Sequence, residues 1–222
     1  MASLSVSAFA ADTAHTARDI RRAQEAGADA LHIDVMDGHF VTLMGLSVSW
    51  LEAMRQYISV PLDVHLMTVN PERFIPQFAL PGVKSMVFHL EGRTRAENRG
   101  ALALIGKTGI KKGLAVSPAT PLEEVRPYLA EMDELLLMSS QPGQPGSKFE
   151  PDTMERVRAL RHMVEAGDYP LRISVDGGLT EELAHECLDN GADNIIMGRA
   201  FFQQSCGEIA YAIHSHTFAA LE

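Results

Sequence analysis

Four side chains of the kinds that bind divalent metal ions lie within short aliphatic segments of this sequence. His32 and Asp34 are two residues apart, while His65 and Asp176 occur further along the chain. Residues two apart in an extended strand point to the same side, so His32 and Asp34 can reach one ion. Two imidazoles and two carboxylates suit Zn²⁺, Mn²⁺, Fe²⁺ or Co²⁺. Each residue alone is typical of a core histidine or a capping aspartate, but the four together predict a shared metal centre.

The segments that carry these residues alternate between aliphatic and polar side chains. The pattern occurs at 31–35, 62–66, 86–90 and 173–176. In a strand, such alternation places the aliphatic residues on one face and the polar residues on the other. Buried ionisable groups are unfavourable unless they are paired or bind a metal. The pattern therefore predicts strands whose polar faces point into one interior, with aliphatic faces packed under helices.

Short apolar runs and longer amphipathic stretches alternate along the whole chain, which indicates parallel βαβ units. Strands are predicted to begin near Leu4, Ala30, Leu62, Ser85, Lys112, Glu134, Leu171 and Asn194. Helices are predicted for example at 16–26, 72–80, 121–130, 152–165 and 181–190. Eight such units in 222 residues predict an α/β fold, a single (β/α)₈ TIM barrel domain over residues 1–222. An open doubly wound sheet is the alternative, although no Rossmann fingerprint follows the first strand.

Composition and charge exclude several functional classes. The formal net charge of −10 argues against a nucleic-acid partner, because binding to a phosphate backbone needs a basic surface. No apolar run approaches the ~18 residues of a membrane span. The first 14 residues lack the basic start of a signal peptide and are predicted to form a strand. Cys187 and Cys206 show no metal-binding or disulfide spacing, which is typical of a cytoplasmic protein.

Six motifs resemble those of the ribulose-phosphate 3-epimerase family, including the related allulose-6-phosphate 3-epimerases. They are LHIDVMDGHFV at 31–41, DVHLM at 63–67, VFHLEG at 87–92, GLAVSPATPLEEV at 113–125, PGQPGSKFEP at 142–151 and VDGGL at 175–179. The resemblance extends from Ser7 to about Phe202. It implies a barrel of the ribulose-phosphate-binding type, a role in carbohydrate and pentose phosphate metabolism, and a homo-oligomer, either a dimer or a hexamer.

The resemblance also implies roles for the four residues of metal-binding type, which we call the metal-type cluster (His32, Asp34, His65 and Asp176). Those matching His32, Asp34, His65 and Asp176 bind one divalent ion (Zn, Fe, Mn or Co). Those matching Asp34 and Asp176 are the catalytic pair, which exchanges the C3 proton of a ketose phosphate on opposite faces by 1,1-proton transfer through an enediolate. A Lewis acid is suited to this reaction, because it stabilises the negative charge that forms on the oxygens.

Ten further residues are predicted to bind the small phosphorylated ketose. Ser7, Met36, Met67 and Met138 match substrate-contacting residues of the family, although such methionines alone are more typical of a protein core. Loops after the last strands of a barrel commonly hold phosphate, and glycines let backbone N–H groups approach an anion. Four of the remaining residues lie in such loops after strands seven and eight: Gly177, Gly178, Gly198 and Arg199. Gly143 and Gly146 lie in the loop after strand six, which matches the Pro-Gly-Phe-Gly-Gly-Gln loop of the family.

Three segments depart from the family pattern. The usual Val-Pro-Asn and Thr-Phe-Gly are replaced by residues 41–43 and 44–47, and the loop at 142–147 has Gln144 and Pro145 where the family has phenylalanine and glycine. Arg199 replaces a common serine. The first hypothesis is epimerisation of D-ribulose 5-phosphate and D-xylulose 5-phosphate. The alternatives are a 3-epimerase of allulose 6-phosphate or a tetrulose phosphate, a phosphosugar decarboxylase, and a non-catalytic phosphosugar-binding barrel.

Overall fold

The alternating segments form eight strands in a computed structural model that describes residues 2–144 and 146–216. The strands are β1 (Ser3–Ser7), β2 (Ala30–Met36), β3 (Leu62–Met67), β4 (Val83–His89), β5 (Lys111–Val116), β6 (Glu134–Met138), β7 (Arg172–Asp176) and β8 (Asn194–Met197). Each strand pairs in parallel with the next, and β8 pairs with β1, so the sheet closes into a barrel. The predicted (β/α)₈ fold is confirmed, and the open sheet is excluded.

Helices connect most of the strands on the outside of the barrel. They are α1 (Thr16–Glu25), α2 (Val48–Met54), α3 (Pro71–Phe78), α4 (Arg95–Gly106), α5 (Thr153–Ala166), α6 (Glu181–Asp189), α7 (Arg199–Gln203) and α8 (Cys206–His214). Several begin with a capping side chain. For example, the Thr94 hydroxyl accepts from the Glu97 backbone N–H while Glu97 accepts from Thr94, which forms a capping box. In the described part of the chain, no helix has the length and apolar character that a bilayer span requires.

The helix predicted at 121–130 is wrong. The connection between β5 and β6 contains two short 3₁₀ helices instead, Leu122–Glu124 and Arg126–Tyr128. Pro127 has no N–H to donate within a helix and its ring crowds the preceding turn, so an α-helix cannot continue through this position. The predicted domain spans residues 1–222, and three parts of it lie outside the described residues: Met1, Pro145 and 217–222.

Side chains alternate across the barrel wall as the sequence pattern predicts. On β2, Leu31, Ile33 and Val35 are buried in the outer core between strands and helices. Each aliphatic side chain buried in this way contributes roughly 1.5–3 kcal/mol relative to exposure. A separate apolar cluster fills the interior of the barrel, and its members are Val87, Ala115, Leu136, Met138 and Ile196. The polar residues of β2, β3 and β7 therefore point into the barrel, above and below this inner cluster.

The amino-terminal ends of the strands hold a group of polar residues joined by hydrogen bonds and ion pairs, which we call the basal polar layer; all are buried except the partly exposed Arg172. Its members are Ser5, Asp63, Ser85, Glu134, Arg172, Ser174 and Asn194. Asp63 accepts hydrogen bonds from Ser5 and Ser85, both at 2.9 Å. The Arg172 guanidinium lies 3.8 Å from Asp63 and 3.7 Å from Glu134. One arginine thus neutralises part of the charge of two buried carboxylates and closes this end of the barrel.

Candidate active site

Strand register brings the four predicted metal ligands to one level at the carboxyl end of the barrel. Asp34 pairs with His65 across β2 and β3. The His32 Nε2 atom lies 3.5 Å from Asp34 Oδ1 and 3.9 Å from Asp176 Oδ2. The His65 Nδ1 atom lies 3.6 Å from the same Asp34 oxygen. One ligand atom from each of the four residues lies within 4.8 Å of the others, so a single ion can contact all four.

Unsatisfied nitrogen atoms distinguish this cluster from an ordinary buried hydrogen-bond network. Both ring nitrogens of His32 and Nδ1 of His65 are buried and have no hydrogen-bond partner among the residues that the structure describes. A buried polar atom without a partner costs about 1–3 kcal/mol, so protein structures rarely leave such atoms unpaired. Two imidazole nitrogens and two carboxylates arranged around one point are the donor set of a transition-metal site. The residues therefore fit a divalent ion.

The buried charges shift the proton affinities of these groups in opposite directions. Burial disfavours the charged form of His32, yet Asp34 and Asp176 outweigh it and raise its pKa to about 9. Burial also opposes ionisation of Asp34, but His32 and His65 hold the pKa of this carboxyl well below its usual range. For Asp176, burial raises the pKa, and the charge of Asp34 adds to that effect. Burial lowers the pKa of His65 to about 4, which favours the neutral imidazole that binds metals.

Ser7 orients one of the carboxylates. It ends β1, and its hydroxyl donates a 2.7 Å hydrogen bond to Asp34 Oδ2. The other oxygen of Asp34, Oδ1, faces His32 and His65. The predicted contact between Ser7 and the substrate stays a prediction, but the structure places this residue on the rim of the cavity beside Asp34.

A cavity of about 540 Å³ opens above the four ligands at the carboxyl ends of the strands. Its lining includes Asp34, Asp176 and every predicted substrate-binding residue: Ser7, Met36, Met67, Met138, Gly143, Gly146, Gly177, Gly178, Gly198 and Arg199. The three methionines are 3–5% exposed and form an apolar surface beside the metal-type residues. The cavity is therefore apolar on this side and bordered by glycine-containing loops on the other.

The loop after β7 adopts a backbone that only glycine accommodates. Gly177 has φ +122°, and a β-carbon there would lie 2.4 Å from the Ser140 hydroxyl oxygen. Gly178 has φ +66°, and a β-carbon there would lie 3.2 Å from the Phe149 nitrogen. L-residues rarely adopt positive φ, so both the conformation and the close packing require glycine. This loop is thus fixed against the chain that follows β6.

Arg199 follows β8, the strand that pairs with β7, which carries this turn. It is the first residue of α7, directly after Gly198. One terminal guanidinium nitrogen lies 3.5 Å from the place where a β-carbon of Gly146 would be. The arginine therefore spans the distance between the loops after β8 and β6, and it brings a positive charge to the part of the cavity bordered by glycines.

Two of the segments that depart from the family pattern contact each other. Gly143 has φ +65°, and a β-carbon there would lie 2.5 Å from Cβ of Val41. Val41 is 8% exposed, whereas Met44 in the same segment is 72% exposed. Leu43 and Gln144 line the cavity, one from each segment. The two segments thus contact each other and each contributes residues to the cavity lining, and we call them together the loop wall (residues 41–47 and 142–147, without Pro145).

Two residues behind the metal-type cluster were not predicted as site residues: His89, which contacts His65, and Glu91, which contacts His89. His89 Nε2 lies 3.0 Å from Nε2 of His65, and His89 Nδ1 lies 2.9 Å from a Glu91 oxygen. The sequence carried a usable pattern, because His89 and Glu91 are two residues apart at the end of β4 inside the VFHLEG motif. Ser140 was also missed, although it lines the cavity and packs against Gly177.

Comparison with known proteins identifies the family. A sequence model of the Ribulose-phosphate 3 epimerase family matches residues 3–202. The chain belongs to the ribulose-phosphate 3-epimerase family. A family member named ribulose-phosphate 3-epimerase in Escherichia coli is 37% identical over 199 residues, which cover 89% of this chain and 88% of that protein. A Mycobacterium bovis protein with the same name is 37% identical over 79% of this chain and 76% of its own. This member of the family is therefore an enzyme, an isomerase of the epimerase type.

Solved structures with lower sequence identity share the fold of this epimerase. KGPDC from Streptococcus mutans superposes with a TM-score of 0.70 at 13% identity, covering 97% of both chains. Phosphoribosyl anthranilate isomerase from Thermus thermophilus gives a TM-score of 0.67 at 15% identity, covering 96% of this chain and 97% of that one. At these identities the similarity concerns the (β/α)₈ barrel alone.

Proposed function

We propose that this protein is a metal-dependent 3-epimerase of a ketose phosphate, which interconverts D-ribulose 5-phosphate and D-xylulose 5-phosphate. The observation that carries the proposal is the pair of carboxylates that line one cavity, Asp34 and Asp176, grouped with two imidazoles that have unsatisfied ring nitrogens. The names of the relatives at 37% identity support the pentulose substrate. A barrel that only binds phosphosugars has no need for two carboxylates at the reacting carbon.

The reaction needs one group to remove a proton from C3 and a second group to return one. One carboxylate takes the C3 proton, and the electron pair of the C–H bond moves toward C2 and its carbonyl oxygen to give an enediolate. The other carboxylate then delivers a proton to the opposite face of C3, and the electrons return from the oxygen. The configuration inverts without any net change in composition. We assign these two roles to Asp34 and Asp176.

A divalent ion held by His32, Asp34, His65 and Asp176 would supply Lewis-acid stabilisation of the charge on the substrate oxygens. Ser7 holds Asp34 in a fixed orientation through its 2.7 Å hydrogen bond. The apolar surface of Met36, Met67 and Met138 keeps water away from the reacting carbon. Each contribution requires that the protein hold its own groups in place before substrate binds.

We assign phosphate binding to the opposite side of the cavity. Gly177 and Gly178 turn the backbone after β7, and Gly198 precedes α7. Backbone N–H groups in such turns bind anions at short range. Arg199 adds a full positive charge and donors suited to phosphate geometry. Gly143 and Gly146 border the same region from the loop after β6.

A second candidate function is 3-epimerisation of allulose 6-phosphate, a tetrulose phosphate or another ketose phosphate. The loop wall favours it, because Leu43 and Gln144 face the cavity at places where the family pattern has other residues. A decarboxylase is disfavoured, because His65 occupies a place where those enzymes tend to have a lysine near the aspartates. The chemistry at C3 is the same for both epimerase candidates, and only the sugar differs.

The test combines substrate choice with proton exchange. We expect the highest kcat/KM for D-ribulose 5-phosphate in a panel of ketose phosphates, with metal bound at about one ion per chain. In D₂O, we expect Asp34→Asn and Asp176→Asn each to block deuterium incorporation on one face of C3. An Asp176→Asn protein that still exchanged both faces at the normal rate would rule out the two-base mechanism. Preference for another ketose phosphate would move the assignment to the second candidate.

We also make proposals for the cellular compartment and the oligomeric state of the enzyme. We expect the enzyme to act in the cytoplasm, since Cys187 and Cys206 are free and buried. We expect a homo-oligomer, a dimer or a hexamer, from the resemblance to the family. Sedimentation analysis of the purified protein measures the second expectation directly.

A further inference from the structure

A chain of hydrogen bonds runs from the metal-type cluster to the loop after β5, and the mechanism above does not use it. It begins at His65, whose Nε2 atom lies 3.0 Å from Nε2 of His89. It continues from His89 Nδ1 to Glu91 Oε2 at 2.9 Å. His65 and His89 are 0% and 1% exposed. Each ring nitrogen in this chain must therefore be either a donor or an acceptor for its protein neighbour, because water cannot compensate for a mismatch.

Glu91 is fixed as an acceptor at the far end of the chain. Its Oε1 atom accepts from the Ser117 backbone N–H at 2.6 Å and from the Thr120 hydroxyl at 2.7 Å. Arg156 holds this loop by donating to the carbonyl oxygens of Ser117 at 3.2 Å and Thr120 at 2.9 Å. Burial opposes the charge of Glu91, but the hydrogen bonds from His89, Ser117 and Thr120 outweigh it and lower its pKa to about 2.

The carboxylate determines where the protons of both imidazoles lie. An ionised carboxylate can only accept, so His89 must carry its proton on Nδ1. In the neutral ring, His89 Nε2 is then a bare acceptor, and the neighbouring Nε2 of His65 must carry a proton to donate to it. His65 is consequently left with a bare Nδ1. That atom is the one that faces Asp34 at 3.6 Å and has no hydrogen-bond partner.

We propose that Glu91 and His89 are positioning residues that fix His65 in the tautomer presenting its Nδ1 lone pair to the metal. The inference rests on the proposed metal centre and extends it by two residues. Hydrogen bonds behind a metal-binding histidine set its tautomer and orientation, and their loss typically weakens metal affinity 10–100-fold. Here the carboxylate of Glu91 acts on His65 through a second histidine, His89.

The wild-type protein provides the first test. Long-range ¹H–¹⁵N NMR correlations of the imidazoles, recorded on metal-free protein near pH 8, distinguish a protonated from a bare ring nitrogen. We expect the proton of His65 on Nε2 and that of His89 on Nδ1. A His65 ring protonated on Nδ1 overturns the proposal. This measurement needs no bound metal, so it remains informative even if the protein binds none, which would instead contradict the proposed function.

Glu91→Gln should reverse the direction of donation along this series of hydrogen bonds, while the side chain keeps almost the same shape. The Ser117 N–H can only donate, so the glutamine oxygen must face it, and the amide NH₂ then faces His89. An amide that donates to His89 Nδ1 moves the His89 proton to Nε2, which in turn moves the His65 proton to Nδ1. We expect zinc affinity to fall at least about tenfold, measured by chelator competition. Glu131→Gln is the matched control, because Glu131 pairs with Arg99 on the surface, and we expect no change.

A double-mutant cycle separates this role from a structural one. In a His89→Gln background, the side chain at 89 can accept from His65 through its own oxygen without contacting Glu91. We expect Glu91→Gln to change zinc affinity less than about threefold there, against at least tenfold in the His89 protein. Equal effects in both backgrounds, or a folded Glu91→Gln protein with wild-type affinity and tautomers, overturn the proposal. If Glu91→Gln fails to fold, the wild-type NMR measurement decides.

Discussion

The two ends of this barrel hold clusters of polar side chains that differ in how their hydrogen-bonding atoms are satisfied. At the amino-terminal end, the carboxylates of Asp63 and Glu134 accept from serine hydroxyls and lie near Arg172. At the carboxyl end, nitrogen atoms of His32 and His65 have no partner. Both clusters come from the same strand alternation and both contain buried carboxylates, so a buried carboxylate alone does not tell them apart.

The difference shows which cluster is structural and which is functional. The basal polar layer supplies its own counter-charge and its own donors, so it is complete as a part of the fold. The metal-type cluster is incomplete without a ligand, and incompleteness of buried polar groups is expected where a protein binds or reacts. Substitutions at the carboxyl end should therefore lower catalytic activity, whereas substitutions at the amino-terminal end should lower the free energy of unfolding.

The largest effect is expected for Asp176→Asn at the carboxyl end. Loss of one acid/base carboxylate should lower kcat by about 10²–10⁴-fold. The free energy of unfolding of the metal-free protein should change by less than about 1 kcal/mol, because asparagine has nearly the same shape and the side chain at this position is partly exposed. Coupled assays and urea titrations measure the two quantities. A large loss of stability without metal would contradict the separation of the two ends.

The opposite result is expected for Arg172→Met in the basal polar layer. Removal of the guanidinium leaves Asp63 and Glu134 buried without a counter-charge, which should lower the free energy of unfolding by about 3–5 kcal/mol. We expect kcat/KM of the folded fraction to change less than about threefold, since the layer lies away from the cavity. Arg158→Met is a matched control, because Arg158 donates its hydrogen bonds to the Asn190 side-chain oxygen at the protein surface.

Glu91 combines properties of both ends of the barrel. Its carboxylate accepts hydrogen bonds within the protein, and it is linked to the metal-type cluster through His89. Its pKa is lowered from 4.5 to about 2, so its stabilising effect is complete above about pH 4.5 and is lost as the pH falls toward 2. The stability difference between wild type and Glu91→Gln should therefore shrink by about 2 kcal/mol between pH 6 and about pH 3. Urea unfolding across this range measures it, and a difference independent of pH would contradict the assignment.

The smallest effect is expected for Arg199→Ser, which restores the residue common in the family. Loss of one charge-assisted contact with phosphate should raise KM about tenfold and leave kcat within about threefold. Steady-state kinetics with the phosphorylated ketose measure both constants. Zinc affinity serves as the control and should stay unchanged, since Arg199 is not one of the four metal-type residues. An unchanged KM would remove Arg199 from the phosphate site.

Much of the barrel could be predicted from the sequence, because strand alternation is a local property. The runs beginning near Leu4 and Leu171 correspond to strands that start at Ser3 and Arg172. The four metal-type residues could also be grouped, since parallel strands of a barrel present their carboxyl ends at one face. The amphipathic pattern at 121–130 predicts an α-helix, but Pro127 interrupts it, so the segment forms two short 3₁₀ helices instead.

Features that depend on contacts between distant loops could not be predicted. His89 alternates inward like the metal-type residues, but nothing in the sequence says that it faces His65 rather than the ion. The acceptors and donors around Glu91 come from Ser117 and Thr120, which are 26 and 29 residues away. The contact between Val41 and Gly143 likewise joins segments about a hundred residues apart, and each appeared in the sequence as an independent departure from the family.

That contact has a consequence for how specificity can change in this enzyme. Because any side chain at Gly143 would collide with Val41, the two halves of the loop wall constrain each other's evolution. Transplanting the 142–147 segment of a relative onto this barrel without its partner at 41–47 would bring together surfaces that were never selected to fit. Exchanging both as one unit preserves the fit, so the natural module for redesigning the sugar preference is a pair of loops.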